Sequence, residues 1–220
     1  MSEHFTATKA CHCSREHHPL HKIVITGGPG AGKSAFLEMA RLHFCNHVAL
    51  LPEAATILFS GGFWRGKSVH GKETAQRAIF HIQKEMERYV ELERKYALAI
   101  CDRGTLDGLA YWPKSQDSFF DELQISHKKE LLSYSAVIHL RTPSQKTGYN
   151  LSNPVRIESA REAQELDAKI EKAWKNHPNR YFVESTDSFM EKVEKTFNIL
   201  RQEVPKCCLS PENELLTLKD

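Results

Sequence analysis

From residue 21 to about residue 204, short apolar runs alternate with longer stretches in which apolar residues recur at helical spacing. Five runs, 22–26, 48–51, 97–101, 136–140 and 181–183, are almost continuously apolar. Strands of that kind belong in a parallel sheet covered on both faces. Between them the spacing predicts a helix over 33–45, with Phe36, Leu37, Ala40 and Phe44 inward. A longer helix is predicted over 73–95, with Ile79, Ile82, Met86, Tyr89 and Val90 inward. Two more follow over 159–177, facing inward with Ala163, Leu166, Ile170, Ala173 and Trp174, and over 189–204, with Val193, Phe197 and Leu200. The expected architecture is a three-layer α/β domain around a five-stranded parallel sheet.

The ends break the pattern. Residues 1–20 carry little apolar content and no periodicity, and 205–220 show no helical stripe, so a flexible leader and a flexible tail are expected around one domain, 21–204. The 220 residues suit one elaborated domain. Lys and Arg exceed Asp and Glu by only two charges, which gives no electrostatic case for nucleic acid as the main partner. No membrane span and no secretory signal are expected, and the expected compartment is the cytoplasm. There the six cysteines would remain thiols. Cys45 and Cys101, among apolar neighbours, read as core residues. Cys11, His12, Cys13, His17, His18 and His21, with Cys207 and Cys208, offer zinc-type ligands, but not at the usual C-x₂₋₄-C spacing.

The strongest chemical signal follows the first predicted strand. Gly27-Gly28-Pro29-Gly30-Ala31-Gly32-Lys33-Ser34 satisfies G-x-x-x-x-G-K-[ST] between a strand and a helix, where a phosphate loop requires it. Gly28 through Gly32 would let backbone N–H groups wrap the phosphates. The helix start would face the same anion. Lys33 would reach the β- and γ-phosphates, and Ser34 would coordinate Mg²⁺.

Three other groups gather at that end of the sheet. Asp102, after the third strand, reads as a Mg²⁺ carboxylate held through water and also as a helix N-cap. Arg103 suits a phosphate or a carboxylate. Glu53, after the second strand, reads equally as a helix first-turn carboxylate and as the acceptor of a substrate hydroxyl proton. The segment 141–161 holds Arg141, Lys146, Arg156 and Arg161 against Glu158 alone, with Pro143, Gly148 and Pro154. It reads as a lid whose cations, Arg156 and Arg161 first, close over a triphosphate, or else as a solvated basic loop.

Together with Pro52-Glu53-Ala54-Ala55, Cys101-Asp102-Arg103-Gly104-Thr105-Leu106-Asp107-Gly108 and Asn153-Pro154-Val155-Arg156-Ile157-Glu158, the loop motif resembles the AAA_28 family of P-loop proteins. That family groups a ribosylnicotinamide-kinase-type domain with many ATP/GTP-binding proteins. The likeness spans about residues 21–202, and more distantly the chain is similar to thymidylate and deoxynucleoside kinases. It implies a P-loop NTPase fold of the nucleotide-kinase type. It also implies Glu53 beside an acceptor hydroxyl, Arg103 beside the substrate, and Gln83 in an acceptor pocket. The sequence lacks N-K-x-D, which disfavours a guanine-specific GTPase. Arg103 stands where ring-forming AAA+ motors carry a water-activating glutamate.

The function expected first is a phosphotransferase that moves the γ-phosphoryl of ATP (or GTP) with Mg²⁺ to a small, nucleoside-like acceptor. The alternative is a hydrolysing switch or nucleotide-binding module that regulates a protein or lipid partner. A catalytically idle fold is disfavoured by intact Lys33, Ser34 and Asp102.

Overall fold

The computed structural model describes residues 6–7, 9–11, 18–143, 160–185 and 188–205. Five strands, β1 (His21–Thr26), β2 (Val48–Leu51), β3 (Leu98–Asp102), β4 (Ala136–Leu140) and β5 (Arg180–Val183), form one sheet. The order is β2-β3-β1-β4-β5, and each neighbouring pair is parallel. Nearly every residue of β1 to β4 is buried, as the unbroken apolar runs require of a sheet with helices on both faces.

Helices α1 (Lys33–His43) and α7 (Phe189–Glu203) cover one face, where Phe36, Phe44, Phe197 and Leu200 pack on Ile23, Ile25, Ile100 and Ile138. The other face is covered by α3 (Val69–Glu93), α6 (Ala160–Ala173) and the 3₁₀ turn Thr105–Ala110. Phe80, Leu106, Phe119, Ile170 and Trp174 fill that side. Three short helices also occur: α2 (Ala54–Ser60), α4 (Gln116–Leu123) and α5 (His127–Leu132). With eight residues or fewer, they offer too few turns for a stripe to stand out. Among the described residues no helix is long and apolar enough to cross a membrane.

Helix α3 differs from expectation in both start and face. It begins at Val69, where Ser68 Oγ accepts the Gly71 N–H at 3.0 Å and caps the first turn. Its buried face carries Phe80, Gln83, Glu87 and Val90, while Tyr89 is exposed. The two polar residues turn inward because partners meet them there. Lys22 Nζ donates to Glu87 at 3.0 Å, and Tyr134 Oη donates to the same carboxylate at 2.7 Å. Gln83 Nε2 also donates to Glu87, at 2.9 Å, so Gln83 belongs to this internal network. Its amide is committed within the domain instead of lining an acceptor pocket.

The leader, expected to be flexible, has its described residues laid along β2, the edge strand of the sheet. Thr6 bridges to Ala49, the Ala7 N–H donates to the Val48 carbonyl at 3.0 Å, and Lys9 bridges to Cys45. Ala7 is buried there. An unpaired strand edge offers N–H and C=O groups that a passing segment satisfies. The tail from residue 206 lies outside the described residues.

Register places the site. Ile25 pairs with Asp102 and Thr26 with His139, so the chain leaving β1 emerges between the ends of β3 and β4. Gly104 keeps this end close-packed, since a Cβ there would lie 2.7 Å from Val24 and 2.8 Å from the Trp174 ring. Trp174 is itself fully buried. Trp174→Ala is expected to lower unfolding free energy by about 3–5 kcal/mol, measured as a fall in the urea midpoint at unchanged m-value.

Candidate functional site

The loop after β1 turns on glycines. Gly27 has φ +131° and passes so close to β4 that a Cβ would meet the Leu140 carbonyl oxygen at 2.0 Å, so no other residue fits. Lys33 opens α1 and folds its ammonium back over the loop, donating to the carbonyls of Gly27 at 2.9 Å and Gly28 at 3.0 Å. Burial, and then the nearby Arg103 guanidinium, pull the Lys33 pKa down to about 8. An anion in the loop would reverse that and take the ammonium from the carbonyls.

Opposite the loop stand the three groups expected at the strand edge, together. Asp102 ends β3 with its side chain buried, and Ser34, exposed on the first turn of α1, donates its hydroxyl to Asp102 Oδ2 at 3.3 Å. Asp102 Oδ1 is buried and has no hydrogen-bond partner among the described residues. Burial, and then Glu53, raise the Asp102 pKa to about 6 against the pull of Lys33 and Arg103. A hydroxyl and a carboxylate with one uncommitted oxygen are the hard oxygen donors that suit Mg²⁺. The residues therefore fit that ion, and no N-cap role for Asp102 is needed.

Arg103 takes the left-handed backbone conformation, φ 74°, which is costly for a residue with a Cβ and occurs disproportionately at functional sites. The turn aims its guanidinium back across the sheet edge. Nε donates to Glu53 Oε1 at 2.6 Å, and Nη1 donates to the Gly27 carbonyl at 3.3 Å and lies 3.7 Å from Asp107. Asp107 in turn accepts the Gly104 N–H at 2.7 Å and the Thr26 hydroxyl, which locks the turn to β1. Glu53 precedes α2, and Thr56 donates to its second oxygen at 2.7 Å. Burial alone would raise the Glu53 pKa. The Arg103 guanidinium, with Thr56 and Lys33, outweighs burial and brings it down to about 2.

Two residues that the periodicity did not single out hold the loop from the other side. Asp167 on α6 accepts the Gly28 N–H at 2.8 Å, the Thr142 hydroxyl at 3.1 Å and a proton shared with His139 Nε2 at 3.0 Å. Burial would raise its pKa, but His139, Gly28 and Thr142 hold it well below the usual carboxylate range. Lys192 on α7 is buried and donates to the carbonyls of Ala31 at 2.9 Å and Arg141 at 2.6 Å. The signal was present in the sequence: each places a charge on a helix face that is otherwise turned inward, beside Ala163, Ile170 and Trp174 or beside Val193 and Thr196.

The lid cations divide. Arg156 and the rest of 144–159 lie outside the described residues. Arg161 is on the solvent face of α6, paired with Glu165 at 3.0 Å in an i,i+4 arrangement and 87% exposed, so it contacts none of the loop residues here. Arg141 is turned toward Asp167 and Glu171 at the end of β4.

A carboxyl whose pKa is lowered by folding adds stability above its unfolded value that disappears as pH falls toward the folded one. For Glu53 that window runs from its ordinary 4.5 down to about 2. Glu53→Gln is expected to cost roughly 1–3 kcal/mol at pH 7, and the gap from the parent should narrow steadily by pH 3 in urea titrations. A gap independent of pH would show that the Arg103 pair contributes nothing through ionisation.

Residues 22–192 match the family model of an AAA domain, AAA_28. A search of curated proteins returns no match. The family match covers most of the chain and includes the loop, both strand-edge carboxylates and Arg103. The chain belongs to this AAA_28 family of nucleotide-binding P-loop proteins.

Proposed function

We propose that this AAA_28 protein is a phosphotransferase that moves the γ-phosphoryl of ATP to a hydroxyl on a small, planar acceptor. The observation that carries the reading is Glu53. Its carboxylate stands at the strand edge beside the phosphate loop, fixed by Arg103 and Thr56, and a groove begins one helical turn beyond it. That groove is an open surface depression of about 460 Å³ lined by Ile57, Leu58, Phe63, Trp64 and Ile82. Trp64 is 84% exposed beside it, an aromatic face set out for stacking.

In this reading the glycine loop holds the β- and γ-phosphates, and Lys33 follows the charge that builds on their bridging oxygens. Ser34 and Asp102 would hold Mg²⁺, which would supply positive charge to the phosphate oxygens. The bond from the γ-phosphorus to the β-phosphate oxygen breaks as a bond forms from the acceptor oxygen to that phosphorus. The hydroxyl proton passes by way of Glu53 to solvent, and ADP departs. A carboxyl with a pKa near 2 is a weak base. It orients the hydroxyl and takes the proton late, which suffices for a loose, metaphosphate-like transition state. Arg103 is then a positioning residue that keeps Glu53 ionised and aimed.

The test is transfer of label from γ-³²P-ATP to a panel of nucleosides and vitamin alcohols, with phosphate release followed in parallel. At least one acceptor should be labelled faster than water. Glu53→Gln should lower transfer about 10²–10⁴-fold with nucleotide affinity within a factor of about three. Lys33→Ala should abolish transfer in a folded protein. Slow hydrolysis insensitive to every acceptor would overturn the proposal in favour of a nucleotide-dependent switch.

A further inference from the structure

At the other end of the sheet from the phosphate loop, Cys11, Cys45 and His47 place their ligand atoms within 4.8 Å of one another. We propose that these three residues bind a zinc ion that fastens the leader to the domain.

The cluster is assembled from distant parts of the chain. Cys45 and His47 flank Asn46 in the turn between α1 and β2. Cys11 arrives because the leader runs along β2: Lys9 bridges to Cys45, and the Asn46 N–H donates to the Lys9 carbonyl at 2.8 Å. Backbone pairing at the sheet edge therefore delivers the third ligand two residues later. Cys45 is buried, and Cys11 and His47 are half-buried, so the site is shielded yet reachable.

Two thiolates and an imidazole are the donor set that selects zinc over magnesium or calcium. Tetrahedral zinc at the usual bond lengths sets its ligand atoms about 3.3–3.8 Å apart. A span of 4.8 Å closes to that with roughly an ångström of side-chain movement. Binding would displace one proton from each cysteine, leaving two thiolates to neutralise the ion and making a half-buried site affordable. Three protein ligands leave one tetrahedral position for water or a further donor. His18 stands beside the cluster, its ring centroid 4.9 Å from that of His47.

The place of the site assigns it a structural task. Helix α1 runs from Lys33 at the phosphate loop to His43, about 16 Å at 1.5 Å per residue, before the chain reaches Cys45. An ion so far from the phosphates takes no part in phosphoryl chemistry. It joins residue 11 to residues 45 and 47, adding a cross-link to the backbone pairing that lays the described leader residues along β2 and the turn before it.

The test uses the full-length protein, purified without a metal-affinity tag or chelator. Elemental analysis should find about one zinc per chain. Exchange with Co²⁺ should give thiolate-to-cobalt charge-transfer absorption. Cys11→Ser, a near-isosteric change at a half-buried leader position, should lose most of the metal and the absorption while keeping the circular dichroism and nucleotide affinity of the parent. His47→Ala should do the same, and the double variant Cys207→Ser with Cys208→Ser should keep both signals. Chelation should expose the leader to trypsin without changing nucleotide affinity. The proposal is overturned by protein free of zinc and unable to bind Co²⁺, by metal content that Cys11→Ser leaves unchanged, or by a Cys11–Cys45 disulfide found by peptide mapping of protein prepared anaerobically.

Discussion

Two cations, Lys33 and Arg103, share the carboxyl edge of the sheet with three carboxylates, Glu53, Asp102 and Asp107, and each sign makes burial of the other possible. Lys33 and Arg103 are taken out of water together with Glu53 and Asp102, each beside opposite charge. Burying one of these charges alone would cost several kcal/mol, by the ordinary penalty for an unpaired buried ion. The mutually paired cluster permits a loop whose own carbonyls hold Lys33 and whose glycines pass within contact of β4. Asp167 and Lys192 fix the outer side of that loop through its backbone, so its shape depends on helices from the far end of the chain. A phosphate placed in the loop would draw Lys33 from the carbonyls. The uncommitted buried oxygen of Asp102 is the kind of donor that a divalent cation selects.

What was legible in the sequence follows from what each feature depends on. The five strands were readable because a sheet buried on both faces needs uninterrupted apolar runs, and the phosphate loop because its backbone needs glycine at fixed places. The strand-edge groups Asp102, Arg103 and Glu53 were found because a strand end is also a position in space. The buried face of α3 was misjudged for a physical reason. Glu87 is a buried carboxylate whose partners, Lys22 and Tyr134, lie 65 and 47 positions away in sequence, and Gln83 is buried with it as a donor one turn before. Periodicity counts them as solvent-facing. Asp167 was hidden in the same way: a carboxylate on an inward stripe makes sense only when Gly28, Thr142 and His139 are seen to converge on it. Cys45, read as core, is indeed buried, yet it also meets Cys11 once the leader pairs with the edge of β2.

Family membership and the geometry agree on nucleotide binding and diverge in how far they reach. The family gives a P-loop domain, and the proposed second substrate rests on the Glu53–Arg103 pair and the groove beyond it. Arg103 illustrates the economy of the arrangement. One guanidinium, turned back by a left-handed backbone, bonds the Glu53 carboxylate and the phosphate loop at Gly27, so a single side chain ties the end of β2 to the loop.

The central claim is that phosphates and an acceptor meet between the loop and Glu53. A crystal structure with a non-hydrolysable ATP analogue and Mg²⁺ tests it most directly. The account predicts the Lys33 ammonium moved from the Gly27 and Gly28 carbonyls onto the β- and γ-phosphates, Asp102 and Ser34 facing the metal, and an open cleft from the γ-phosphate past Glu53 to Trp64. A triphosphate bound elsewhere, or a closed surface between the γ-phosphate and Glu53, would contradict it.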